Sequence, residues 1–337
     1  MYHHRNSSAL SAIVPHIDRA SLINPAGINP DGSVNRGGVH GVKFELDDAC
    51  NLDCAMCGRE KFDTVRQMDV ELMEKRCREM LNFGVHDFGV FFGNEPMIGI
   101  ERTVSMIEWL KNELKVPRVF LTTNGTAATT KNVERCMRAG LDSLKFSVNA
   151  TSARTYAELA RCSENLFHLL LNNIKKAWET RRKVFEETGH ACGIFASSIN
   201  FQGDEAETMR SFLEEHVFPY VDEWYLLPVY QMGGGRVITQ LDEIGSTGPV
   251  AGNISRIGAA RSPLPCWPVF NATHVRWNGD VYACCFPAPA PGQVMGNLNE
   301  ESFEKIINGP KYRALRLAHM GEDVRGTACE KCIAYLG

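Results

Sequence analysis

Three cysteines in the run CNLDCAMC, Cys50, Cys54 and Cys57, are the residues whose type and spacing best suit chemistry. The spacing C-x3-C-x2-C supplies three thiolates, whereas a saturated [4Fe–4S] cluster takes four protein ligands. A cluster held by three thiolates keeps one iron open to bind and reduce a small molecule. The alternative is structural zinc, which favours paired C-x2–4-C units and a fourth ligand close by. Because the next cysteine, Cys77, falls in a predicted helix, the pattern favours an iron–sulfur cluster.

This cysteine run resembles the signature of the radical S-adenosylmethionine (SAM) superfamily. The resemblance implies that the open iron binds the amino and carboxylate groups of SAM. One electron from the cluster then cleaves SAM to methionine and a 5′-deoxyadenosyl radical, which abstracts a hydrogen atom from the substrate. The protein orients these reactants and excludes side reactions. The resemblance also implies a flavodoxin- or ferredoxin-type electron donor, and it places Met56 against the adenine of SAM.

The second motif follows the predicted strand Phe88–Phe92 and consists of Gly93, Asn94, Glu95 and a proline. A turn rich in Gly and Pro needs no function by itself. The motif also resembles the GGEP motif of the superfamily, in which backbone and carboxylate hold the SAM amino group. Glu95 matches the acidic position, and Asn94 replaces the second glycine.

Two further strand ends supply polar side chains. Asn124 lies in the segment TTNGT, which reads either as a simple Asn-Gly turn or as the TNG segment of the superfamily lining the SAM site. Ser147 and Asn149 are two residues apart at a strand end, so their side chains point the same way. The resemblance places this pair near the ribose or carboxylate of SAM, while a capped strand end is the simpler alternative.

Strands and helices alternate from Val42 onward, and this alternation predicts how the motifs are positioned. Six β/α units favour an α/β fold, a partial (β/α)6 parallel barrel in which function collects at the carboxyl ends of the strands. Asp69 is the predicted N-cap of the first helix, and the long helix carrying Trp178 is expected to end near Gly189. The predicted strands are Val42–Leu46, Phe88–Phe92, Val119–Thr122, Ser143–Val148, Cys192–Ile199 and Glu223–Pro228.

A second group of cysteines lies near the C-terminus and comprises Cys266, Cys284, Cys329 and Cys332. The order, a C-x12-G-x4-C unit followed after a long gap by C-x2-C, resembles the SPASM/twitch extension of radical SAM enzymes. The resemblance implies one auxiliary [4Fe–4S] cluster, which four thiolates would saturate and suit to electron transfer. A zinc ribbon is the alternative, although the first pair is not a C-x2-C knuckle.

The chain is therefore expected to contain four parts. Residues 1–40 are polar and read as an irregular N-terminal extension, and residues 41–230 form the partial barrel. Residues 231–264 contain a GGG run and read as a linker, and residues 265–337 form the small SPASM/twitch-like cluster domain.

Composition limits the other classes of function. The 337 residues carry a net charge of −4, so nothing favours nucleic acid or an anionic membrane surface as a partner. No apolar run reaches the length of a membrane span, and the N-terminus lacks the apolar core of a signal peptide. Twelve cysteines without an export signal predict a reducing, cytoplasmic location.

The sequence offers few candidates for catalytic and substrate-binding residues, and they are chosen only by their position in the predicted fold. Tyr230 and Arg236 follow the sixth predicted strand, where substrates meet barrel mouths, and His274 is a further candidate. Cys285 adjoins Cys284, and adjacent side chains on an extended segment point to opposite sides. Cys285 is thus either a buried filler or a hydrogen-atom donor that faces the substrate radical.

Four functional hypotheses follow. The favoured one is oxidation of an alcohol carbon in a polar small molecule, such as a sugar, aminocyclitol or nucleoside of a biosynthetic pathway, with the auxiliary cluster accepting an electron. A redox-neutral epimerase would instead use a thiol to return the hydrogen atom. SPASM-type peptide maturation is less expected, since residues 1–40 are short for a leader-binding domain. An iron–sulfur electron carrier would leave the open iron without a role.

Overall fold

The computed structural model describes residues 4–13, 27–55, 57–60, 62–199, 203–227, 266–285 and 292–330. Four of the predicted site residues, Met56, Tyr230, Arg236 and Cys332, lie outside the described residues, as does the predicted linker 231–264.

The described chain contains ten strands and ten α-helices. The strands are β1 His4–Arg5, β2 Gly41–Phe44, β3 Asp87–Gly89, β4 Arg118–Thr123, β5 Ser143–Ser147, β6 Gly193–Ile199, β7 Glu223–Leu227, β8 Ala272–Val275, β9 Asp280–Tyr282 and β10 Val294–Asn297. The helices are α1 Ala9–Ile13, α2 Val70–Phe83, α3 Ile100–Asn112, α4 Thr130–Arg138, α5 Ala153–Ala160, α6 Asn165–Thr188, α7 Gly203–His216, α8 Trp267–Asn271, α9 Phe303–Ile307 and α10 Pro310–Met320.

The strands form one open sheet in the order β1-β7-β6-β5-β4-β3-β2-β8-β9-β10. Strands β2 to β7 are parallel neighbours in chain order, as consecutive β/α units require. They confirm the predicted six-unit partial barrel. Strand β8 pairs parallel to β2 on its other side, and β8, β9 and β10 continue as an antiparallel meander. The cysteine-rich C-terminal segment is thus built directly onto the strand that precedes the cluster loop.

Local sequence signals set several element boundaries. Asp69 caps α2 by accepting a hydrogen bond from the Leu72 N–H at 3.1 Å, which confirms the predicted cap. Helix α6 ends at Gly189, in the left-handed conformation expected of a C-terminal glycine. The second barrel strand ends at Gly89 rather than at Phe92, because the Phe92 N–H donates to the Asn94 side chain instead of a neighbouring strand.

The two faces of the barrel strands differ in exposure. In β4 the residues alternate between half-buried and buried, and Val119 and Leu121 on the helix-covered face are 0% exposed. The other face lines the space enclosed by the curve of the sheet, called the lumen here. Position 89 has no room for a side chain on this face, because a Cβ atom there would lie only 2.8 Å from the Phe120 side chain and 3.0 Å from the Lys43 side chain. Glycine avoids both contacts. Closed barrels fill their interior with side chains, whereas this lumen reaches solvent at several positions.

The N-terminal residues cover the far edge of the sheet. Strand β1 pairs antiparallel with β7, and Ser11 of α1 donates to Asp222, which also pairs with Arg181. Asp222 and Ser11 are fully buried. This edge of the barrel is therefore protected from pairing with another strand.

Candidate functional site

The cluster loop is held between the barrel and α5. The Asp53 and Ala55 N–H groups donate to the carbonyls of Ala160 and Leu159 at 3.1 and 2.8 Å. Arg59 closes the loop from the other side by donating to the carbonyls of Asp48 and Leu52 at 3.1 and 3.3 Å. The segment that carries Cys50 and Cys54 is therefore held in place by contacts that need no metal.

The three thiols of this loop fit an iron–sulfur cluster better than a single ion. Burial raises the pKa of Cys50 to about 11. Burial also raises the pKa of Cys54, and the neighbouring thiols of Cys57 and Cys50 raise it further. Three thiolates on a cluster bind three different irons, so this donor set suits a cluster that supplies the positive charge.

Glu95 joins the loops that follow β2, β3 and β4. Its N–H donates to the carbonyl of Ala49 at 2.7 Å, in the cluster loop. Its carboxylate accepts from Thr123 Oγ1 at 2.7 Å and from the Asn124 N–H at 2.6 Å. Glu95 is only 2% exposed, and this burial raises its pKa to about 7. One residue, through its backbone and its carboxylate, thus connects the cysteine loop with both of the predicted SAM-binding loops.

Asn124 and the cluster loop are also joined directly. The Asn124 Nδ2 group donates to Asn51 Oδ1 at 3.0 Å, and Asn51 in turn donates to Thr126 Oγ1 at 2.8 Å. The turn requires Gly125, which has a φ of 80° and lies against Leu170. Asn51 was not among the predicted site residues. Its position next to Cys50 was the available signal, but its partner became visible only in the fold.

Gly93 and Asn94 lie beside a buried ion pair. The Gly93 N–H donates to Glu45 Oε2 at 2.8 Å, and the Asn94 amide donates to Asp47 at 3.4 Å. The other oxygen of Glu45 accepts from Arg276 Nε at 2.6 Å. Glu45 is 0% and Arg276 3% exposed. Since Arg276 follows β8, this pair connects the loop after β3 with the C-terminal segment.

Ser147 and Asn149 lie at the carboxyl end of β5, as predicted. Asn149 Oδ1 accepts from the Ile199 N–H at 3.1 Å and so holds the end of β6. Ser147 is paired in register with Ser197 of β6. The structure thus brings Gly93, Asn94, Glu95, Asn124, Ser147 and Asn149 to the rim on which the cluster loop lies.

Three of the four predicted auxiliary cysteines are described, and a histidine joins two of them. His319 of α10 is 0% exposed and lies between Cys266 and Cys329. Its Nδ1 accepts from the Cys266 N–H at 3.4 Å. The proton of the neutral ring is then on Nε2, which donates to Cys329 Sγ at 3.5 Å. His319 was missed by sequence reasoning, because nothing in its local sequence marks it.

Two other predicted residues lie in the same C-terminal segment. Cys284 and Cys285 follow β9 and are both half-buried. His274 of β8 is 0% exposed and lies against the ring of Phe92, with 5.1 Å between the ring centroids. It faces the same side of the sheet as its register neighbour Lys43.

A parallel partial barrel with a three-cysteine loop after its first strand defines a class of cluster-binding enzymes. Residues 45–191 match the radical SAM superfamily, and residues 266–333 match the SPASM iron–sulfur cluster-binding domain. The chain thus contains a radical SAM domain and a C-terminal SPASM domain. It accordingly takes a [4Fe–4S] cluster, SAM and an auxiliary iron–sulfur cluster as cofactors.

Individual relatives are more distant. A GTP 3′,8-cyclase of Mannheimia succiniciproducens is 27% identical over 147 residues, which cover 41% of this chain and 41% of that protein. SuiB of Streptococcus suis bound to S-adenosylmethionine matches 83% of this chain and 68% of its own, with a TM-score of 0.60 and 15% identity. BtrN in complex with AdoMet and 2-DOIA matches 87% of this chain and 92% of its own, with a TM-score of 0.50 and 16% identity. These structures share the fold.

Among the described helices, none is long and apolar enough to cross a membrane.

Proposed function

We propose that this radical SAM enzyme oxidises an alcohol carbon in a polar small molecule such as a sugar, aminocyclitol or nucleoside. When bound, SAM on the first cluster supplies the radical that removes a hydrogen atom, and the auxiliary cluster supplies an acceptor for the electron that leaves as the alcohol becomes a ketone. A proton leaves the hydroxyl group in the same step, so the oxidation is balanced.

The contacts around Glu95 support the first part of this proposal. Cys50, Cys54 and Cys57 are the proposed ligands of the first cluster, and Asn51 and Glu95 fix their loop against Asn124. The SAM ammonium is a suitable partner for the Glu95 carboxylate, since a charge-assisted hydrogen bond is stronger than a neutral one. Ser147 and Asn149 offer a hydroxyl and an amide to the rest of SAM from the same rim.

The observation that carries the oxidative part is the pairing of β8 with β2. This pairing sets the SPASM segment, with the proposed auxiliary ligands Cys266, Cys284 and Cys329, beside the strand that leads into the cluster loop. Cys332 is the proposed fourth ligand by its spacing in the sequence. A saturated cluster suits electron transfer better than substrate binding.

The test is anaerobic turnover of the reconstituted protein with SAM and a panel of polyols, aminocyclitols and nucleosides. We expect 5′-deoxyadenosine and a ketone in equal amounts. A Cys266→Ala, Cys284→Ala variant should still cleave SAM but should form little ketone. Formation of ketone at the wild-type rate without an auxiliary cluster would contradict the proposal.

An epimerase is the second candidate, and it is favoured by the half-buried thiol of Cys285, next in sequence to Cys284. An epimerase needs a hydrogen donor on the face opposite the attacked one, whereas a dehydrogenase does not. In Cys285→Ala the epimerase should form 5′-deoxyadenosine without epimer, and the dehydrogenase should be little affected. In deuterated solvent, a thiol donor would deliver deuterium to the substrate carbon, while a ketone without deuterium would exclude this candidate.

The relatives favour a third candidate, because the similar protein of Mannheimia succiniciproducens is named a GTP 3′,8-cyclase. At 27% identity over 41% of each chain, that activity is a proposal for this protein. GTP therefore belongs in the substrate panel. A cyclised nucleotide product without ketone would select this candidate over alcohol oxidation.

A further inference from the structure

A connected patch of hydrogen-bond donors lines the lumen next to the proposed SAM contacts and shares Ser147 with them. It is called the lumen patch here and consists of Thr122, Lys145, Ser147, Ser197 and Tyr225. Thr122 is paired in register with Lys145, Ser147 with Ser197, and Ser197 with Tyr225. Residues paired across parallel strands lie on one face of the sheet, so these five side chains are neighbours.

The lumen patch faces the open side of the sheet. Phe146, between Lys145 and Ser147, is 0% exposed and packs near Gly125 on the helix-covered face. Its neighbours in sequence therefore point the opposite way. Lys145, Ser147 and Thr122 are half-buried, so water and a small molecule can reach them.

Lys145 supplies a charge that no carboxylate neutralises in the described part of the chain. Its Nζ lies over the Tyr225 ring, 5.5 Å from the centroid. The lumen carboxylates each have an arginine partner: Asp87 pairs with Arg118 at 3.1 Å and Glu223 with Arg5 at 3.4 Å. Glu45 at the rim pairs with Arg276 at 2.6 Å.

Three hydroxyl groups of the patch add to this charge, two on half-buried side chains and one on the buried Ser197. Within the described residues, Thr122, Ser147 and Ser197 form no side-chain hydrogen bond. Three hydroxyls and an ammonium group that converge without a carboxylate form a set of donors that suits an anion.

We propose that the lumen patch binds a phosphate or carboxylate group of the substrate, with Lys145 as its cation. This inference rests on the proposed function and narrows its substrate class to anionic small molecules. The SAM carboxylate is the competing occupant. Ser147, two residues further along the same strand, is itself a proposed SAM contact, so competition with SAM rather than distance along the sheet separates the two occupants. The Lys145 ammonium lies over Tyr225 of β7, away from the cluster loop that follows β2.

Calorimetric binding of pyrophosphate and of malonate to the full-length, cluster-reconstituted protein with saturating SAM tests this inference. We expect at least one anion to bind, and the anion preferred tells a phosphate site from a carboxylate site. Lys145→Gln should weaken that binding by at least about tenfold, the effect of losing a charged hydrogen bond. Lys145→Arg, which keeps the charge, should lose less affinity than Lys145→Gln. Lys131→Gln, at an exposed lysine of α4, is the matched control and should bind as wild type does.

The inference is overturned if neither anion binds to the wild type, or if Lys145→Gln binds as tightly as the wild type. It is also overturned if the anions compete with SAM and Lys145→Gln weakens SAM binding in parallel, since the patch would then serve SAM. Iron content and circular dichroism identify a misfolded variant, in which case Thr122→Val, which removes a hydroxyl donor of the patch, takes its place and should likewise weaken anion binding. SAM cleavage is measured separately, so loss of anion binding with intact SAM cleavage contradicts this inference but not the proposed function.

Discussion

A single buried side chain, His319, contacts two of the cysteines that are proposed to bind the auxiliary cluster. Both of its ring nitrogens are engaged, one with the Cys266 N–H and the other with the Cys329 sulfur. Hydrogen bonds to cluster sulfurs raise the reduction potential, because they stabilise the more negative reduced state. A buried ring that touches two proposed ligands therefore acts as a positioning residue.

Replacing His319 by Leu should lower the reduction potential of the auxiliary cluster by tens of millivolts, where about 59 mV corresponds to a tenfold change in the one-electron ratio. The measurement is a redox titration in a background of Cys50→Ala, Cys54→Ala and Cys57→Ala, which leaves only that cluster. His319→Gln keeps an N–H donor, so its reduction potential should lie between those of the wild type and of His319→Leu. His168→Leu, at an exposed histidine of α6, is the control. An unchanged potential in His319→Leu with the cluster fully formed would refute this role.

Glu95 makes the stability of the metal-free protein depend on pH. Burial raises its pKa from 4.5 to about 7, although the Asn124 N–H and Thr123 hydroxyl favour the carboxylate. The folded protein thus holds the proton more tightly than the unfolded chain. The stabilising contribution of Glu95 is full below about pH 4.5 and is lost as the pH rises through about 7.

Compared with Glu95→Gln, the wild type should therefore lose free energy of unfolding between about pH 5 and pH 8, on the order of 3 kcal/mol from the 1.36 kcal/mol per pKa unit. The Gln side chain stays neutral at every pH. Its different hydrogen bonds therefore change the free energy of unfolding by an amount that does not depend on pH. Urea unfolding of both metal-free proteins across this range is the measurement. A pH-independent difference between them would show that Glu95 is ionised with an ordinary pKa.

At the scale of elements, the Glu45–Arg276 pair connects the barrel with the SPASM segment. Glu45 follows β2, Arg276 follows β8, and the Gly93 N–H donates to the same carboxylate. A buried charge left without its partner is strongly destabilising, whereas replacing both charges by apolar groups is often tolerated.

Arg276→Gln should therefore lower the free energy of unfolding by about 3–5 kcal/mol. The double variant Glu45→Leu, Arg276→Met should lose much less, since it leaves no unpaired charge. Arg118→Gln is the matched control, because its pair with Asp87 is about 30% exposed and should be worth about 1 kcal/mol or less. Chemical denaturation measures all three. Equal losses in Arg276→Gln and Arg118→Gln would show that the Glu45–Arg276 pair does not stabilise this junction.

For the whole molecule, the central expectation is two clusters on one sheet. The cluster loop follows β2, and Cys266 and Cys284 lie before and within the adjacent meander of β8, β9 and β10. Anaerobic reconstitution should give about eight irons per chain, from four per cluster. Replacing Cys50, Cys54 and Cys57 together by Ala should leave about four and abolish SAM cleavage. Bound zinc, or about four irons in well-reconstituted wild type, would contradict the two-cluster assignment.

Much of this architecture was predictable because its signals are local. The C-x3-C-x2-C run, the alternation of strands and helices, the Asp69 cap and Gly189 each depend on residues close together in sequence. Periodicity and capping are properties of neighbouring residues, so they identified the six parallel strands and the cysteine loop. The cofactor class follows from that loop.

Contacts between distant residues were decided by the tertiary structure alone. The Glu45–Arg276 pair spans 231 residues, and the Asn51–Asn124 bond spans 73. The lumen patch draws on four strands whose register no local pattern specifies. Strand order and sheet curvature set these contacts, because they bring together side chains that only the packing of the whole barrel can place. The sequence by itself thus determined which cofactors this protein takes, and the fold decided which side chains surround them.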